Sequence, residues 1–113
     1  MKFVNLHVRS KDSVKTMALN IDAIQSVEQL SPVFPHELTE QQQSEHQAVM
    51  AYDIYKGQYI CNVRTHNSCA NIVEYIPAAE DCQAVYLITL TNSNVYICLD
   101  GDLPVAFVEL LGF

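Results

Sequence analysis

A chain of 113 residues, half of them apolar, is long enough for a real core and short enough to form one domain. Its formal net charge of −7 works against direct binding to DNA, RNA or anionic membranes, because phosphate neutralisation drives most of that affinity. The balance is uneven: residues 1–15 set Lys2, Arg9, Lys11 and Lys15 against Asp12, and beyond them only Lys56 and Arg64 face the remaining carboxylates.

In chain order, Phe3–Val8 alternates, with Val4, Leu6 and Val8 on one face of a predicted strand and Phe3, Asn5 and His7 on the other. Arg9–Ser13 is a polar turn, and Val14–Ile21 the return strand with Met17, Leu19 and Ile21 aligned. Asn20 and Asp22 carry capping chemistry for one helical turn near Ala23-Ile24, after which Gln25–Leu30 is a strand again. Pro32 and Pro35 break the sheet. Thr39 and Gln42 have capping-box spacing, so the next segment is a helix of about 12 residues or a mobile loop. Tyr52–Val63 forms a second hairpin around Lys56-Gly57, Arg64–Ser68 is loop-like, and Asn71–Ile76, strand or short helix, ends at Pro77.

The last third, Ala84–Phe113, is the organising stretch. A two-residue Asn92-Ser93 turn pairs Thr91 with Asn94, Leu90 with Val95, Ile88 with Ile97 and Tyr86 with Leu99, aligning six apolar side chains on one face. Leu87, Thr89, Tyr96 and Cys98 make up the second, partly covered face. Asp102 is the expected N-cap of a helix over 103–111 that stops at Gly112. Its core stripe is Leu103, Ala106, Phe107, Leu110 and Leu111, which leaves Val105 and Val108 outside it for another surface to cover.

MALNIDAIQSVEQL (17–30) and VYLITLTNSNVYICLDGDLPVAFVELL (85–111) together resemble the small flagellar FlbD-like family and similar short bacterial and phage proteins. That family pairs an L-N-x-x-x-I-x-x-I-E segment with an I-T-L-T-N-G-type hairpin and a final short helix. Leu19, Asn20, Ile24, Val27 and Glu28 fit the first pattern, and Ile88–Asn92 fit the second. Ser93 stands where the family usually has glycine, and residues 31–83 form an insertion the family lacks, so the resemblance covers little more than half the chain. It implies a fold and carries over no catalytic residues.

Cys61, His66, Cys69 and Cys82 are the one group of soft metal ligands close in sequence, but their spacing is not that of paired zinc ligands, and no metal or cofactor is expected. Cys69 with His66 is the alternative for thiol chemistry, with Asn67, Asn71 or Glu74 as the orienting group. His36, Glu37, Glu40, Glu45 and His46 are read as a solvated face. Three glycines provide no phosphate-cradling loop. Tyrosine suits contact surfaces, and Tyr52, Tyr55 and Tyr59 are the interface candidates beside Val105 and Val108.

The sequence therefore predicts a single α+β domain over 1–113. Its framework is a bent antiparallel sheet or small open β-barrel, with a short C-terminal helix and residues 31–83 inserted between the halves of the sheet. Its expected role is a non-enzymatic protein–protein interaction or regulatory protein, with a protein partner or its own second copy as in a homodimer. Two alternatives stand beside it. One is an acidic inhibitor of mobile-element or phage type that mimics nucleic acid through Asp22, Glu28, Glu37, Glu40, Glu45, Glu80 and Asp81. The other is a thiol- or zinc-dependent enzyme using Cys61, His66 and Cys69. The start MKFVNLHVRSK has no signal-peptide core and no stretch has the length of a membrane span, so a cytoplasmic setting with reduced cysteines is expected.

Overall fold

A computed structural model describes residues 2–11, 13–67 and 70–111. The elements are β1 (Phe3–Ser10), β2 (Ser13–Asn20), a 3-10 turn (Ile21–Ala23), β3 (Ile24–Leu30), a second 3-10 turn (Pro35–Glu37), α1 (Glu40–Glu45), β4 (Ala48–Asp53), β5 (Gln58–Asn67), β6 (Ala70–Ala78), β7 (Val85–Leu90), β8 (Val95–Leu99) and α2 (Val105–Leu111). The strands form two antiparallel sheets, one of five strands ordered β2-β1-β8-β7-β3 and one of three ordered β4-β5-β6. This is an α+β arrangement with a short C-terminal helix, and the sheets do not close into a barrel. Residues 31–83 stand between β3 and β7, which pair directly, and they supply the whole three-stranded sheet.

The β7–β8 hairpin is central because both of its faces are apolar. Val85, Leu87, Ile97 and Leu99 pack on Ala48, Met50, Cys61, Val63 and Ile76 of the second sheet. Tyr86, Ile88, Leu90 and Cys98 face the other way, onto Leu6, Leu19, Leu103 and Phe107. The hairpin thus joins two cores, as strands with apolar side chains on both faces require.

Its register differs from the expected one by a single residue. Leu87 pairs with Ile97, Tyr86 with Cys98 and Val85 with Leu99. The loop is Thr91–Ser93, closed by Leu90 N–H donating to Asn94 O at 2.8 Å and Ser93 N–H to Leu90 O at 3.0 Å. Ser93 takes φ 72°, the left-handed residue that completes three-residue hairpin loops. The six residues expected on one face are therefore split between the two cores.

β1 and β2 keep their expected faces, with Val4, Leu6, Val8, Met17 and Leu19 in the second core. The single turn after β2 also forms, and Asn20 Oδ1 accepts Asp22 N–H at 3.0 Å. A bulge between Ile24 and Ser26 shifts the β3 register, so that Ile24 and Val27, three apart, both reach the second core.

The capping box holds: Thr39 Oγ1 accepts Gln42 N–H and Gln42 Oε1 accepts Thr39 N–H. The helix it starts ends at Glu45, however, and Ala48–Asp53 is a strand because Ala48, Val49 and Met50 are buried by sheet packing. Arg64–Asn67 continues β5 rather than forming a loop. β6 is a strand that runs through Pro77, tolerated there because β6 is an edge strand and needs no N–H at that position.

In α2 the buried residue is Phe107, with Leu103 just before the helix buried beside it and Val108 half-buried against the same core. Ala106 and Leu110, expected inside, are exposed. Asp102 is not the helix cap. The Pro104 carbonyl accepts Phe107 and Val108 N–H groups instead. Asp12, Ser68, Cys69 and Gly112, with the side chains of His66, Asn67, Asn71 and Leu111, lie outside the described residues.

Candidate functional site

The second sheet carries the two surfaces with functional character. The first is the tip of the β4–β5 hairpin. Asp53 Oδ1 accepts Tyr55 N–H at 2.9 Å and Lys56 N–H at 3.2 Å, and Gly57 N–H donates to Asp53 O at 2.8 Å. Gly57 has φ +65°, which lets the four-residue turn close. This firm turn presents three large side chains to solvent: Tyr52 is 54% exposed, Ile54 75% and Tyr55 95%. Tyr59, expected as a contact residue, instead packs half-buried against the first core. It supports Tyr52 edge-on at 5.0 Å and meets Phe34 at 6.2 Å. Of the helix candidates, Val105 is 74% exposed, and Val108 is turned into the second core.

The second surface is the outer face of the same sheet. Alternation sends Cys61, Val63 and Thr65 of β5 inward and Asn62 and Arg64 outward. Val49 pairs with Asn62 on one side, and Tyr75 with Asn62 and Val73 with Arg64 on the other. The α1 segment passes over this face, and the two enclose a groove of about 530 Å³ with Gln43 and His46 in its wall. Gln43 Nε2 is tied to Pro35 O at 2.9 Å, and the His46 ring to Ser31 O at 3.3 Å. Asn62 Oδ1 and Arg64 Nε are buried there without a hydrogen-bond partner among the described residues.

Of the described cysteines, Cys61 and Cys82 share the first core and Cys98 stands apart in the second. Burial pushes the Cys61 and Cys98 thiols up to about 12. Both are thiols rather than thiolates at neutral pH, the form that is the poorer nucleophile. Cys82 is half-buried against the first core, its thiol also raised by burial, with Sγ 3.5 Å from Ala84 O. The His66 side chain and Cys69 are outside the described residues. Among the described residues no three His, Cys, Asp or Glu side chains gather to hold a metal ion.

The His36–His46 set is spread over local roles. His36 stacks on Phe34 at 5.7 Å, Glu37 Oε2 accepts Phe34 N–H at 3.0 Å, and Glu45 Oε1 accepts Gln41 Nε2 at 3.4 Å. Asp22, Glu28, Glu80 and Asp81 are exposed on other segments, away from this one in the chain. Sequence reasoning passed over Asn62 and Arg64, which sit in a polar stretch. The signal that would have found them is the strict alternation of Cys61, Val63 and Thr65 with Asn62 and Arg64. No helix among the described residues is long and apolar enough to cross a membrane. No family model, curated protein or solved structure matches the chain.

Proposed function

We propose that this protein is a non-enzymatic interaction protein that docks a protein partner through the tip of the β4–β5 hairpin, in a cytoplasmic setting. The observation that carries this reading is the trio Tyr52, Ile54 and Tyr55, held outward by a hydrogen-bonded turn. Aromatic side chains on a preordered turn bury large area at low entropic cost. The acidic balance of the chain favours a basic partner and slows approach to other acidic surfaces. Protonated, buried Cys61 and Cys98 support the non-enzymatic reading.

The test is retention of a partner by immobilised protein, compared between the natural chain and the triple variant Tyr52→Ser, Ile54→Ser, Tyr55→Ser. A partner held by the first and lost by the second, at equal melting temperature, supports the reading. Equal retention by both overturns it.

Self-association through α2 is a second reading, favoured by Val105 and Leu110, 74% and 65% exposed on one short helix. Sedimentation across a wide concentration range decides it. A dimer weakened by Val105→Ser with Leu110→Ser supports it, and a monomer at every concentration sinks it.

A further inference from the structure

We propose that the groove between α1 and the outer face of the second sheet binds a small organic acid, one bearing both an oxyanion and a hydroxyl or amino donor. Two observations meet there. Arg64 Nε and Asn62 Oδ1 are buried on the central strand of the sheet, and neither has a hydrogen-bond partner among the described residues. Native proteins rarely leave such groups unmatched, because each gives up its hydration and gains nothing in exchange.

The chemistry of the two groups specifies the ligand. A guanidinium offers a planar fork that matches a carboxylate or phosphate oxygen pair. A carboxamide oxygen accepts a hydrogen bond and so calls for a donor on the same ligand. The two residues are alternate positions on β5, roughly 7 Å apart along the strand. A small ring or short chain spans that distance. Val49 on one flank, with Val73 and Tyr75 on the other, supply apolar walls for it. A groove of about 530 Å³ suits a small ligand. Glu40 lies on the wall and opposes excess negative charge, which favours a ligand with one anionic group and suits an amino donor. Among the described residues Arg9 is paired with Asp102, and Arg64 forms no such ion pair, so the groove carries a cation without a carboxylate partner among them.

The experiment is an amide NMR titration of the full chain with 4-hydroxybenzoate, phenyl phosphate and neutral 4-hydroxybenzamide. Saturable shifts at Val49, Asn62, Arg64 and Val73 with at least one anion, and at least about tenfold weaker binding of the neutral amide, are expected. The two anions separate a carboxylate site from a phosphate site. Arg64→Gln should weaken binding by about tenfold or more, and Arg64→Lys by less. No saturable shift with either anion, shifts elsewhere, or equal binding of the amide overturns the proposal. Because the natural chain alone gives that result, a variant that fails to fold does not protect it. The Tyr52, Ile54 and Tyr55 triple variant should bind the anion unchanged, which keeps this site distinct from partner docking.

Discussion

Arg9 and Asp102 meet across 93 positions of sequence in a two-pronged ion pair, Nε 2.6 Å from Oδ2 and Nη2 3.1 Å from Oδ1. Asp102 Oδ2 also accepts Leu99 N–H at 2.8 Å, and Arg9 Nη1 donates to Pro77 O at 3.1 Å. One cluster therefore ties β1 to the end of β8 and, through Pro77, to the edge of the second sheet. The bond to Asp102 raises the Arg9 pKa against the opposing effect of burial, so the guanidinium stays charged.

Removing one partner leaves the other charge partly buried and unmatched. Asp102→Ala should lower unfolding free energy by about 2–4 kcal/mol, more than loss of an exposed pair would cost. The double change Arg9→Met with Asp102→Ala should recover part of that loss, because no charge is then stranded. Urea unfolding of the natural chain and the two variants measures this. A loss below about 0.5 kcal/mol for Asp102→Ala would assign the pair to the ordinary surface class.

Alkali should destabilise the fold through its buried thiols. The ordinary thiol value is 9.0, and burial moves Cys61 and Cys98 to about 12 in the folded chain. Above 9.0 the unfolded chain releases protons that the folded chain keeps, so unfolding becomes easier as pH rises. The stabilising contribution is complete below 9.0 and is lost on approach to about 12. Cys98→Ala should lower stability at neutral pH by about 1 kcal/mol for the small cavity, and make the alkaline decline shallower. Unfolding curves across that pH range check both effects, and an unchanged slope would contradict the assignment.

The hairpin was legible in the sequence, and its register was not. Register is fixed by pattern only where one face is apolar and the other polar. Here Tyr86, Leu87 and Ile88 are all buried, so slipping the pairing by one residue exposes nothing that the pattern could flag. The capping box at Thr39 and Gln42 marked where α1 begins. Its end was hidden, because Ala48-Val49-Met50 suits a helix as well as a buried strand and only pairing with β5 decides. The groove itself was hidden: alternation puts Asn62 and Arg64 on one face, but only pairing with β4 and β6 brings Val49, Val73 and Tyr75 beside them.

Burial on both faces has a measurable consequence. Leu87→Ala and Ile88→Ala should each cost about 2–5 kcal/mol, since each removes methyl groups from a different packed core. A hairpin with one buried face would give one large and one small loss from adjacent positions. Equilibrium unfolding of the two variants discriminates between these outcomes.

Ser93 offers the complementary test, in which the sequence is improved. Its φ of 72° lies in the left-handed region, where a side chain costs energy that glycine avoids. Its N–H donates to Leu90 O, and that bond survives substitution because it belongs to the backbone. Glycine also has more freedom to lose on folding, so the gain is a difference of two terms. Ser93→Gly should raise stability by about 0.5–1 kcal/mol and leave the pairing of Leu87 with Ile97 unchanged. Gly57→Ala, at φ +65° in the other hairpin, should move stability the opposite way by about 1 kcal/mol. Two-residue turns of the Asn-Gly type take φ > 0 at both central positions. In the loop present here only the third residue is left-handed, so Asn92→Gly should bring no comparable gain. Thermal unfolding of the three variants therefore reads the loop length directly: stabilisation at position 93 alone belongs to Thr91–Ser93, and stabilisation at both 92 and 93 would restore the shorter turn.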